Sequence, residues 1–309
     1  GPAWEHVVAG ARAPLFVREL GAGQPVVVVH GGPDFDHEYL LPELDQLASS
    51  CRLLHYDQRG RGRSFDGAPP ARVSMADEVA DLERVRLTSG LDAIAILGHS
   101  WGGLVALEYT LAHPDRVTHL VLLNTAPASC TDATALRHEL ARRRTADQTR
   151  RMTELRSSPA FAAGDIATDA AYYRIHYGST IGDAALLDDL IGRLRRSSTP
   201  RGVQVARHIE DQLIAETWSR PDYDLVPQLA GVRVPTLAIH GDNDLVPLGA
   251  VQRIVDAIPG AELLVLRACG HFSYLEHPHD VVAAVTALLR RPTGRRTPSN
   301  DVRAPFANG

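Results

Sequence analysis

Apolar residues in the first third of the chain come in two rhythms that alternate with each other. Continuous runs at 26–29 (Val-Val-Val-Val), 52–56, 94–97 and 117–123 are short and rich in Val, Ile and Leu. Such runs predict strands buried on both faces. Residues 5–20 predict two further strands, the second over 14–20, before the Gly21-Ala22-Gly23 turn. Between the runs, apolar residues recur at helical spacing. Leu40, Leu41, Leu44 and Leu47 predict a helix over 38–48, and Met75, Val79, Leu82 and Val85 one that ends near 87. Ser74 can cap the second, with Asp77 where a capping box prefers Glu or Gln. Leu104, Val105, Leu107 and Leu111 predict a helix directly after residue 100. Strand and helix in regular succession imply an α/β fold: a mostly parallel sheet with helices on both faces.

The rhythm breaks at about residue 127. Through 226 no strand is predicted, only helical segments near 131–156, 168–177, 183–196 and 200–218, punctuated by Pro159, Gly178, Pro200 and Pro221. Strand 232–240, helix 248–258, strand 262–266 and helix 279–289 then resume the earlier pattern. The expected organisation is therefore a core in two parts, 1–126 and 227–290, with a helical insertion over 127–226. A polar, Pro- and Gly-rich tail over 291–309 is expected to be flexible.

Composition narrows the function classes. The chain has 309 residues, 44% hydrophobic, and Lys+Arg of 32 against Asp+Glu of 37 leaves a net charge of −5. That balance gives no footprint for nucleic acid, and no apolar run is long enough to span a bilayer. The first residues show neither the charged nor the apolar region of a secretory signal, and Gly1-Pro2 is consistent with a protease-cleavage scar. Cys51, Cys130 and Cys269 have spacings that suit neither a disulfide framework nor a zinc site. A cytoplasmic protein with reduced cysteines is expected, without metal or cofactor, acting on a small molecule or short peptide.

The candidate chemistry centres on Gly98-His99-Ser100-Trp101-Gly102, a G-x-S-x-G pattern between a predicted strand and a predicted helix. A strand that turns abruptly into a helix strains its junction residue and lifts the serine hydroxyl above the sheet. The helix N-terminus beside it favours developing negative charge. A serine needs a base, and the base needs a group that fixes its tautomer. Asp244 and His271 follow the ends of two later strands, and open α/β sheets place their sites at such ends. Ser100 is thus the candidate nucleophile, His271 the general base and Asp244 the orienting acid, with Asp242 as rival. The backbone N–H groups of Trp101 and Gly32 are the candidate oxyanion donors.

The segments HGGP (30–33), DQRGRGRS (57–64), GHSWGG (98–103), GDND (241–244) and GHF (270–272) together resemble the proline iminopeptidase group of α/β-hydrolases. The resemblance covers the core sheet, and the insertion then corresponds to that family's cap domain. It implies cofactor-free hydrolysis of an N-terminal proline peptide bond through an acyl-enzyme, with cap glutamates holding the substrate amine. Two features depart from the family pattern. Asp34 stands where the family has the last glycine of HGGPG, and no W-x-x-W-E segment is present. Glu210 and Glu216, near Trp218, are the substitutes the sequence offers for amine binding, against the simpler expectation that both sit on a solvated helix face.

The rival readings are an esterase or lactonase, a hydrolase that tailors a natural product, and a non-catalytic protein that binds a ligand in the same pocket. His99 is expected to support packing, while Asp57 and Arg59 brace the loop beneath the site. Arg142, Arg143, Arg144, Arg150 and Arg151 are expected on a solvated helix face. His277 and His279 lack the companions a metal site requires.

Overall fold

The computed structural model describes residues 2–9, 13–70 and 72–293. The tail expected after residue 290 lies, from 294 onward, outside them. Eight strands form one sheet: β1 (Trp4–Val8), β2 (Leu15–Gly21), β3 (Pro25–Val29), β4 (Arg52–Tyr56), β5 (Ile94–His99), β6 (Val117–Leu123), β7 (Thr236–Gly241) and β8 (Glu262–Leu266). Their order is β1-β2-β4-β3-β5-β6-β7-β8. β2 is antiparallel to both its neighbours, and every pair from β4 onward is parallel. Every residue of β5 and of β7 is buried, as strands covered on both faces require.

Helices α1 (Met75–Thr88) and α2 (Trp101–Ala112) pack on each other, and α2 lies along β3, β5 and β6. α1 opens with the capping box that Ser74 and Asp77 form between them, so the shorter acid closes it as Glu would. The helix expected over 38–48 is instead two 3-10 segments, His37–Leu40 and Glu43–Ser49. Pro42 stands between them, and its missing N–H and fixed φ interrupt a continuous helix.

From β6 the chain runs through α3 (Cys130–Arg143), α4 (Ala146–Arg156), α5 (Pro159–Ala162), α6 (Ile166–Tyr177), α7 (Ala184–Arg193) and α8 (Pro200–Glu216). The single helix expected over 131–156 is broken, because Thr145 caps α4 in a box with Gln148. Pro235 delays β7 to Thr236. After β7 come α9 (Leu248–Ala257), the short α10 (Ser273–Glu276) and α11 (Pro278–Leu289). Among the described residues no helix is long and apolar enough to cross a membrane.

The C-terminal ends of β3, β5, β6, β7 and β8 share one edge of the sheet. β3 lies between β4 and β5, so the winding reverses there, and open α/β sheets hold their ligands at such a reversal.

Candidate active site

Ser100 sits between β5 and α2 with φ 53° and ψ −118°, backbone that an L residue adopts only when its surroundings hold it there. The clamps are visible. Ser100 N–H donates to Leu123 O at 3.0 Å, and Ser100 O accepts from Ala126 and Gly103 N–H at 2.9 Å each. The turn is tight enough to exclude side chains beside it. A Cβ on Gly102 would stand 2.0 Å from the Val29 carbonyl, and one on Gly98 2.3 Å from the Gly102 carbonyl.

His271, on the loop after β8, spans two groups that lie far apart in sequence. Its Nε2 is 2.9 Å from Ser100 Oγ and its Nδ1 is 2.8 Å from Asp244 Oδ1. Asp244, on the loop after β7, also accepts from Val246 N–H at 2.8 Å and from Asn124 Nδ2 at 2.9 Å. His240 Nδ1 lies 3.2 Å from its Oδ2. Burial alone would raise the Asp244 pKa, but the facing imidazoles of His271 and His240, with these hydrogen bonds, hold it well below the usual carboxylate range. Asp242 does not face His271; its carboxylate accepts from Cys269 N–H.

Asn124, at the end of β6 with φ 46°, was not singled out from sequence. Its amide donates to Asp244 and to Gly270 O, and its Oδ1 accepts from Ser273, so one side chain pins both the acid loop and the histidine loop. An Asn directly after a buried strand was the available signal, since Asn tolerates positive φ.

The Gly31–Gly32 loop is held by a relay. Gly31 N–H donates to Tyr39 Oη at 2.7 Å, Tyr39 O–H donates to His99 Nδ1 at 2.7 Å, and His99 Nε2–H donates to His271 O at 3.0 Å. Only one tautomer of His99 can do this, because a carbonyl can only accept. Burial, with the neighbouring His271, pushes the His99 pKa down to about 3, so the ring stays neutral. With Gly31 N–H thus engaged, Gly32 (φ 125°) forms the wall of the cavity over Ser100. Trp101 is the first residue of α2, so its N–H has no partner within that helix. Beneath the loop, Asp57 accepts from His37 and Arg63 N–H groups, and Arg59 is bidentate to Asp81.

A cavity of about 290 Å³ opens over Ser100, with Leu136, Leu140, Ile214 and Trp218 among its apolar walls and Glu210 as its carboxylate. A second chamber of about 350 Å³ adjoins it. Gly32, Arg156, His176, Tyr177, Glu210 and Ile214 line both. Glu210 makes no hydrogen bond or ion pair among the described residues. Burial, with Asp34 nearby, raises its pKa well above the usual value. Trp218 donates Nε1–H to Pro127 O at 3.0 Å and meets Trp101 edge-on at 5.2 Å.

Glu216, the other substitute named from sequence, is not in this cavity. Its carboxylate accepts from Met75 N–H at 3.2 Å, because the opening turn of α1 has a free donor there. Two of the arginines expected on a solvated face also turn inward. Arg143 donates to the carbonyls of Asn243 and Asp244, and Arg144 to His176. They stand where α3 stops and α4 has not begun, so their side chains leave the exposed face. Asp34 is buried against Arg195 and accepts from Tyr173 O–H at 2.9 Å. Among the described residues no three His, Cys, Asp or Glu side chains converge as metal ligands.

A doubly wound sheet with Ser, His and Asp meeting at its C-terminal edge defines a class of hydrolases. Residues 24–278 match the alpha/beta hydrolase fold family, and the chain belongs to it. A proline iminopeptidase of Levilactobacillus brevis is 29% identical over 302 residues, covering 92% of this chain and 91% of the relative. Another, of Saccharolobus solfataricus, is 26% identical over 289 residues, covering 88% and 86%. The crystal structure of a proline iminopeptidase from Mycobacterium smegmatis matches with a TM-score of 0.69 at 22% identity, covering 93% of this chain and 97% of that one. The last likeness is one of fold.

Proposed function

We propose that the protein is a serine hydrolase of the proline iminopeptidase type, acting on a short peptide or amide with an N-terminal proline-like residue. Ser100 Oγ attacks the acyl carbon as its proton passes to His271 Nε2. His271 then gives that proton to the leaving amine as the C–N bond breaks. A water that loses a proton to the same nitrogen attacks the acyl carbon, and that proton passes to Ser100 Oγ as the C–O bond breaks and the acid leaves. Asp244 holds His271 with its proton on Nδ1, and the N–H groups of Gly32 and Trp101 receive the oxyanion. The observation that supports this reading is the unbroken line from Asp244 through His271 to Ser100, at 2.8 and 2.9 Å.

Residues 127–226 serve as a cap in this reading, and Glu210 receives the substrate amine. An unpartnered carboxylate above the serine is what a cationic N-terminus requires, and the arriving cation would draw the Glu210 pKa back down. Trp218 packs against the ring of the first residue. The test is hydrolysis of a proline-coupled chromogenic amide compared with a short acyl ester. Cleavage of the amide, lost in Glu210→Gln, supports the assignment.

An esterase or lactonase is the second reading. Burial raises the Glu210 pKa, and the walls of Leu136, Leu140 and Trp218 beside it suit an uncharged acyl group. Turnover of the ester alone would decide for it. Absence of fluorophosphonate labelling at Ser100 would leave only a ligand-binding role.

A further inference from the structure

We propose that His176 is a specificity-determining hydrogen-bond donor to the leaving-group half of the substrate, and that Arg144 is the residue that fixes it in that role. This inference rests on the serine hydrolase reading above.

His176 lies on α6, near its C-terminal end; with Tyr177 it lines both chambers, and Ser100 and His271 line the first of them as well. Its Nδ1 is 2.9 Å from an Arg144 guanidinium nitrogen. A guanidinium has donors and no acceptor, so Nδ1 must accept. A neutral imidazole that accepts on Nδ1 carries its proton on Nε2. That N–H makes no hydrogen bond with the described residues. The ring is wedged among Tyr172, Tyr173 and Tyr177, with centroids 6.2, 6.0 and 4.7 Å away, which fixes its orientation. Burial, then the neighbouring Arg144 guanidinium and His271 ring, push its pKa down to about 3, so the donor persists without a positive charge.

The side of the cavity follows from the neighbours. Tyr177 lies next to His176 and parallel to the His271 ring, with centroids 6.4 Å apart. Glu210, which takes the amine of the acyl half in the reading above, lines the same two chambers; Tyr177, which touches both His176 and His271, is what places His176 toward the leaving group that His271 Nε2 protonates. The fitting ligand chemistry is an acceptor oxygen in the leaving group, such as the carbonyl of the second residue of a peptide. A plain alkyl amine or alcohol offers none.

The test uses two substrates with one acyl group, taken from whichever series the wild-type chain cleaves, amide or ester. One leaving group is glycinamide (glycolamide for esters), which carries the carbonyl; the other is the propyl analogue, which lacks it. The readout is the ratio of their kcat/KM values. A neutral hydrogen bond predicts a wild-type preference of about tenfold for the carbonyl-bearing substrate. His176→Leu should bring the ratio close to one, and His176→Gln, which keeps a donor, should restore much of it. Arg144→Met lines neither chamber yet should lower the ratio too, by freeing the tautomer, and it reads the effect if His176→Leu fails to fold. An equal wild-type rate for the two substrates, or an unchanged ratio in both His176→Leu and Arg144→Met, overturns the assignment. A wild-type chain that cleaves neither acyl series refutes the hydrolase reading itself.

Discussion

The Asn124 side-chain amide donates to the carboxylate of Asp244 at 2.9 Å, joining the end of β6 to the acid loop after β7. Asp244 then has defined partners on each oxygen and can present one geometry to His271. Replacing it by Asn would let the amide donate where His271 must donate, selecting the wrong tautomer. Asp244→Asn should lower kcat by about 10⁴-fold with little change in KM, as loss of the acid does in serine proteases of this constellation. Steady-state kinetics on the cleaved substrate check it.

Asn124→Ala should act more mildly on rate and more on stability. It strips one hydrogen bond from Asp244 and leaves Gly270 O and the Ser273 hydroxyl without their partner. A loss of about 1–3 kcal/mol is expected, measured by urea denaturation.

The two sides of the Asp34–Arg195 contact are both buried, and Arg195 also pairs with Asp169. The pair joins the loop after β3 to the segment between α7 and α8, and it accounts for an acid where the family pattern has glycine. Arg195→Met leaves buried Asp34 without its cation, while Asp169 keeps Arg207, and should cost about 3–5 kcal/mol. The double variant Asp34→Asn/Arg195→Met should recover part of that loss in the same unfolding assay.

Glycines at two positions should respond in opposite directions. The Cβ of Gly102→Ala meets backbone at 2.0 Å, so about 3 kcal/mol of stability should go, and activity with it. Gly249, in the first turn of α9, has nothing nearer than 4.0 Å. Gly249→Ala should stabilise by about 0.5–1 kcal/mol through helix propensity and a less flexible unfolded chain. Thermal melts of the two variants decide the contrast.

Glu210 gives a pH dependence with a definite sign. Burial comes first among the causes that raise its folded pKa; Asp34 and Asp211 add to it, while Arg195 and Arg156 oppose. A carboxyl with a raised folded pKa is bound to its proton more tightly when folded. Its stability contribution is therefore complete below the unfolded pKa near 4.5 and is lost as pH rises through the folded value. Glu210→Gln cannot ionise, so the gap in Tm between it and the wild type should widen from pH 5 to pH 8, with the variant the more stable. Parallel melting curves at the two pH values, without substrate, check this.

Much of the fold was legible because each strand and helix is a local decision. A run such as 26–29 has nowhere to go but a covered sheet, and the alternation of periods then imposes parallel winding. The glycines around Ser100 signalled the bend for the same reason, since crowding there leaves no room for a Cβ. What the order of residues could not carry was which polar groups meet. Glu210 and Glu216 lie on the same helix, yet one faces the cavity over Ser100 and the other meets the start of α1. Asn124, Asp34, Arg144 and His176 acquire their partners only when distant loops are packed together. A polar side chain is indifferent to its place until burial strips its water, and the tertiary structure then decides which donor or charge must take the water's place.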